Sequence, residues 1–142
     1  MILWQELLLI CCYKDTEYTM DKILKNFLNE ALQVPKPYDG SNLSVDSIVS
    51  GIHSLVNCKR DDGNTSNKPF YAGICKDVKD NMQRHGNESY VALIDCGTRE
   101  KAGLVETKLG ELGFDVGERA NNGGDDETTI VYVIKKDRNF KP

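Results

Sequence analysis

A chain of 142 residues fits one compact domain, and at this length about 68–70% of the unfolded surface can be buried, so no metal or disulfide staple is needed. Hydrophobic residues at 39% and charged residues at 28% argue against wholesale disorder, and no apolar run reaches the ~18–20 residues of a membrane span. Eighteen basic against 22 acidic residues give a net charge of −4, which argues against a polyanion binder held by bulk charge but leaves room for a local basic groove.

Residues 1–19 form an apolar segment. Trp4, Leu7, Leu8, Cys11 and Cys12 follow the spacing of one helix face, while Leu3, Leu9 and Ile10 fall off it, so such a helix must pack on something, a second subunit included. The segment lacks a basic start and a cleavage site, so it is a poor secretory signal; the less favoured reading is that it precedes a native start at Met20. From Met20 to Leu32 the residues Ile23, Leu24, Phe27, Leu28, Ala31 and Leu32 keep a helical period, and Pro35 and Pro37 end the helix. Ser44 to Val56 reads as a helix capped by Ser44, with a short strand over Gly51–Asn57 as the alternative. Residues 20–68 are thus a helical extension closed by a polar loop at Cys58–Lys68.

Residues 69–142 carry the core. Phe70–Cys75 is predicted as a strand, Asp77 as the cap of a short helix to about His85, and Tyr90–Asp95 as a second strand. Thr98 caps a helix from Arg99 to Leu112, with Gly113 as its stop, and Thr128–Ile134 alternates as the last strand. The expected fold is α+β: a small three-stranded sheet in β-α-β-α-β order, preceded by two or three N-terminal helices. The five cysteines (Cys11, Cys12, Cys58, Cys75, Cys96) are odd in number and lack C-x-x-C spacing. With only two histidines in the chain, they read as reduced, packed thiols of a cytoplasmic protein.

Tyr71-Ala72-Gly73, followed by the capped stretch Asp77 to His85, resembles the GIY-YIG endonuclease fold over residues 70–134. In that family a Tyr-x-Gly strand runs into a helix patterned roughly Asp-Leu-x-x-Arg-Leu-x-x-His, and a later helix carries a metal-binding glutamate. The resemblance puts Tyr71 at the second signature tyrosine, Gly73 at its glycine, His85 at the helix-end histidine and Glu106 at the metal-binding glutamate. Asn81 falls where the family has its catalytic arginine, and Gly51-Ile52-His53 is the only literal echo of the other signature strand. The resemblance further requires an extended Phe70–Cys75 and two following helices that share a face of a common sheet.

Two functions follow as expectations. One is a divergent nuclease cutting DNA with Mg²⁺ on Glu106, Tyr71 as base or water-positioner, and Arg84 or Lys76 in place of the missing arginine. Phosphodiester cleavage needs that fixed positive charge, and loss of one such transition-state contact costs ~2.7–4 kcal/mol. The other, favoured by Asn81 and the acidic balance, is a non-catalytic module binding DNA, another nucleic acid or a protein partner without a metal cofactor. A phage- or mobile-element-encoded inhibitor acting by protein contact would also have this size and acidity. Each residue has a plainer reading: Tyr71 as a half-buried strand aromatic, His85 as a satisfied core histidine, and Glu106 as a carboxylate reaching water from the edge of a buried face. Lys135, Lys136 and Arg138, with Lys76, are the candidate nucleic-acid contacts. The glycine-rich acidic loop Gly117–Asp126 reads as a turn. The N-terminal helices would cover the sheet, recruit a partner or form a homodimer face.

Overall fold

The computed structural model describes residues 34–142 except 87–88, 118–124 and 139. The helices expected within residues 1–32 lie outside the described residues. The elements that follow are β1 (Tyr38–Asp39), α1 (Val45–Asn57), β2 (Phe70–Cys75), α2 (Val78–Arg84), β3 (Tyr90–Asp95), α3 (Arg99–Glu111) and β4 (Ile130–Lys135). The protein is α+β, with a four-stranded mixed sheet and three helices among the described residues.

Local signals start and stop these elements. The Ser44 hydroxyl accepts from the Ser47 amide, and Asp77 accepts from the Lys79 and Asp80 amides. Thr98 does the same for Lys101. Each cap satisfies amide donors that the first helical turn leaves orphaned. Gly113 ends α3 in the left-handed region at φ +93°, a conformation that an added Cβ would disfavour. Gly51-Ile52-His53 lies inside α1, so helix, not strand, is the outcome there.

The sheet runs β1-β3-β4-β2, with β1 parallel to β3 and β4 antiparallel to both β3 and β2. Four strands replace the expected three because the residues after Pro37 pair with β3. Tyr38 stands opposite Ile94, and the Gly40 amide donates to the Asp95 carbonyl at 2.8 Å. A Cβ on Gly40 would come within 2.7 Å of Ile94 Cγ2, so the approach of this strand needs glycine. Beyond β2, Ala72 donates to the Asp115 carbonyl at 2.8 Å and Asp115 donates to the Phe70 carbonyl at 3.0 Å, a short parallel bridge on the outer edge.

Side-chain alternation splits the sheet into two apolar layers. Phe70, Ala72, Ile94, Val131 and Val133 pack against Ile48, Ile52 and Val56 of α1 and Ala102, Val105 and Leu109 of α3. Tyr71, Cys75, Leu93, Ile130, Tyr132 and Ile134 pack on the other face with Val78 and Met82 of α2. The helices α2 and α3 therefore cover opposite faces, which corrects the expectation that they share one. Residues of both nevertheless line one cavity beside β2. The reason is the parity of β2: Tyr71 and Phe70 are neighbours in sequence and must point to opposite sides.

Cys75 and Cys96 are free, buried thiols, and burial pushes them up to about 12 and about 11 respectively. Cys58 is disulfide-bonded, which corrects the reading of a reduced thiol at that position. No helix among the described residues is long and apolar enough to cross a membrane.

Candidate functional site

A cleft of about 930 Å³ lies along the edge of β2, lined by residues from both faces of the sheet. Strand β2 contributes Tyr71, Gly73 and Ile74 to it, α2 contributes Asn81 and Arg84, and α3 contributes Glu106. Tyr71, Arg84 and Glu106, distant in sequence, thus reach one concavity. His85 does not line it but sits directly behind Tyr132.

Glu106 is only 4% exposed, on the buried face of α3 with Ala102, Val105 and Leu109. It does not reach bulk water, as a solvated glutamate would. Tyr71 is buried, and its phenol lies 3.0 Å from where a Cβ on Gly117 would be, so the turn at Gly117 leaves room for the ring. Burial raises the Tyr71 phenol above its ordinary value; Arg84 opposes this shift, while Asp115 and Glu106 add to it. A phenol in this setting stays protonated at neutral pH and is a hydrogen-bond donor rather than a base.

Tyr132, which sequence reasoning did not single out, organises the interior of the site. It stands opposite Gly73 in the β2–β4 ladder, with its ring packed over that glycine. His85 is fully buried, with Nδ1 2.5 Å from the Lys141 carbonyl and Nε2 2.7 Å from the Tyr132 hydroxyl. A carbonyl can only accept, so Nδ1 carries the proton. Burial lowers the imidazole below its ordinary value, so Nε2 is a bare acceptor and the Tyr132 hydroxyl donates to it. The result is a directed chain inside the core, in which Tyr132 donates to His85 and His85 donates onward to the Lys141 carbonyl. Tyr71 packs beside Tyr132, with 6.2 Å between the ring centroids.

Asn81 is equally committed. It is 5% exposed and its Nδ2 donates to the Tyr90 hydroxyl at 3.0 Å, which in turn donates to the Val78 carbonyl at 3.4 Å. Arg84, exposed on the last turn of α2, makes no hydrogen bond or ion pair among the described residues, whereas Lys76 is bound to Asp125 at 3.2 Å and Glu127 at 2.9 Å. Lys135 reaches Asp61 at 2.7 Å, Lys136 reaches Asp115 at 2.9 Å, and Arg138 is exposed. The basic run is therefore dispersed: two of its three cations are held by acids of this same chain.

Among the described residues no three His, Cys, Asp or Glu side chains gather as a metal cage. Glu106 is a single carboxylate, and a hard cation such as Mg²⁺ would be held there by that oxygen together with substrate phosphates and water. The rim is acidic on one side, where Asp77, Asp80 and Asp125 lie.

The parity of Tyr132 on β4 was legible, since Ile130, Tyr132 and Ile134 alternate, but nothing in the sequence showed that β4 lies beside β2. Phe140, whose ring packs on both Tyr71 and His85, carried no sequence signal at all.

No family model matches the chain, and neither a curated protein nor a solved structure is significantly similar to it.

Proposed function

We propose that this chain is a non-catalytic binding module that engages a nucleic acid or a protein partner through the cleft beside β2. The observation that carries this reading is the commitment of the two side chains a nuclease would need at liberty. Both nitrogens of His85 are bonded inside the protein, and Asn81, at the position of the family's arginine, is bonded to Tyr90. A Tyr71 phenol raised by burial points the same way, because it is not poised to take a proton from water. The opposite-face placement of α2 and α3 fails the shared-face requirement and ends the case for a scaffold descended from a nuclease, so the binding reading rests on the cleft residues themselves.

A second reading, a divergent Mg²⁺-dependent endonuclease with a GIY-YIG-like site, is favoured by one observation: Tyr71, Arg84 and Glu106 all line the same cleft. On that reading Glu106 holds the cation, Arg84 neutralises the phosphate and Tyr71 orients water. Plasmid nicking separates the two readings. With Mg²⁺ or Mn²⁺ the purified protein is expected to leave supercoiled DNA intact; nicking that Glu106→Ala abolishes overturns the non-catalytic reading.

A further inference from the structure

Beside the cleft, Tyr71 of its lining and the buried His85 behind it bound an aromatic slot that the chain fills with its own side chain. The Phe140 ring lies on the His85 ring at 5.5 Å between centroids and only 6° from parallel, and it sits 5.0 Å from the Tyr71 ring. The neighbouring Lys141 carbonyl takes the His85 Nδ1 proton, and Pro142 lines the cleft itself. Three consecutive residues thus present a flat ring and a carbonyl acceptor to the pair Tyr71 and His85. Their attachment is slight. Phe140 is only partly buried, and apart from the His85 bond the segment makes a single backbone hydrogen bond, Phe140 to Asp137 at 3.2 Å, among the described residues.

A flat ring with a carbonyl at its edge describes a pyrimidine base. We propose that the Tyr71–His85 slot is a subsite for one unstacked nucleobase of a single strand, held closed by Phe140 until that base displaces it. The proposal rests on the binding reading above and names its partner. A thymine or uracil stacks where Phe140 stacks, and its exocyclic oxygen accepts from His85 Nδ1 in place of the Lys141 carbonyl. Arg84 precedes His85 in the chain, lines the cleft and makes no ion pair among the described residues, so its guanidinium is available to the phosphate of the same nucleotide. The acids of the rim do not cancel it. Asp77 caps the opposite end of α2, about 10 Å from Arg84, which is beyond the ~8 Å screening length at physiological salt, whereas Asp80, one turn before Arg84 and about 6 Å along the axis, weakens its field without forming an ion pair with it among the described residues. Asp125 is bound to Lys76.

The test is fluorescence anisotropy with a labelled ten-residue oligothymidylate and a duplex of equal length, on wild type, Phe140→Ala and Arg84→Gln. Phe140→Ala is expected to bind oligothymidylate about ten-fold more tightly than wild type, within the range of one base stack, and to leave duplex affinity unchanged. Arg84→Gln is expected to weaken oligothymidylate binding. A folded Phe140→Ala protein within two-fold of wild type overturns the slot while duplex binding upholds the module. If no protein binds either nucleic acid, the nucleic-acid reading falls along with the slot. An aromatic peptide that binds Phe140→Ala better than oligothymidylate does also overturns it. Should Phe140→Ala fail to fold, the Phe140 ring resonances of wild type decide. They are expected to move toward solvent-exposed values at saturating oligothymidylate, and unmoved resonances overturn the proposal.

Discussion

Replacing Tyr132 with Phe removes one oxygen atom from the head of the hydrogen-bonded chain and leaves the packing almost intact. The consequence falls on His85. Its Nδ1 proton remains on the Lys141 carbonyl, but Nε2 loses its only donor in a fully buried setting. An orphaned buried acceptor costs about 1–3 kcal/mol, whereas a lost but replaceable hydrogen bond costs about half that. We therefore expect a loss of ~2 kcal/mol. With a urea dependence of roughly 1.5 kcal/mol per molar, this lowers the unfolding midpoint by about 1.3 M. Urea unfolding followed by far-UV circular dichroism reads the shift directly. A second variant isolates the pair: in a His85→Phe background, Tyr132→Phe is expected to cost well under 1 kcal/mol, because no imidazole then remains to be orphaned. If Tyr132→Phe alone lowers stability by less than about 0.5 kcal/mol, the directed chain is wrong.

Three further outcomes follow from the same geometry. Gly73→Ala drives a Cβ to within 2.6 Å of Tyr132 Cζ, a ring pinned by His85, and overpacking of this kind costs about 1–3 kcal/mol in urea unfolding. Because burial lowers the His85 imidazole, the folded state prefers it neutral. Its contribution is fully present above the unfolded value of ~6.5 and is lost as pH falls from there through the lower folded value, by at most about 1.4 kcal/mol per pH unit. Comparing urea midpoints at pH 7.5 and pH 5.5 in wild type and His85→Phe measures this, and wild type is expected to lose more. Asp77→Ala removes the side chain that accepts from the Lys79 and Asp80 amides, and the loss of a cap costs ~1 kcal/mol, read as a lower melting temperature with the sheet signal retained.

How far the sequence reached differs between the helices and the site. Ser44, Asp77 and Thr98 announced three helix starts because capping is local chemistry, satisfied within three residues of the cap. The strands at Phe70–Cys75 and Tyr90–Asp95 were equally legible from β-branched and aromatic content between turn residues. Strand β1 was not, because two residues after a proline carry no periodicity and become a strand only by pairing with β3. The face shared by α2 and α3 was misjudged for a related reason. A helix stripe says that a side is buried, not which side of which sheet receives it.

For the cleft, residue types and spacing nominated Tyr71, Arg84, His85 and Glu106, since a buried-face carboxylate and a strand tyrosine are visible in one dimension. What each of them does was decided elsewhere. Placing β4 between β3 and β2 put Tyr132 against Gly73, which turned His85 from a candidate catalytic group into a saturated interior one, and the fold of residues 140–142 over α2 laid Phe140 on both rings. Hydrogen-bond periods, caps and alternation arise between residues a few positions apart, so the chain alone carries them. Pairings across 47 and 56 residues, Tyr132 with His85 and Lys141 with His85, exist only once the sheet has closed.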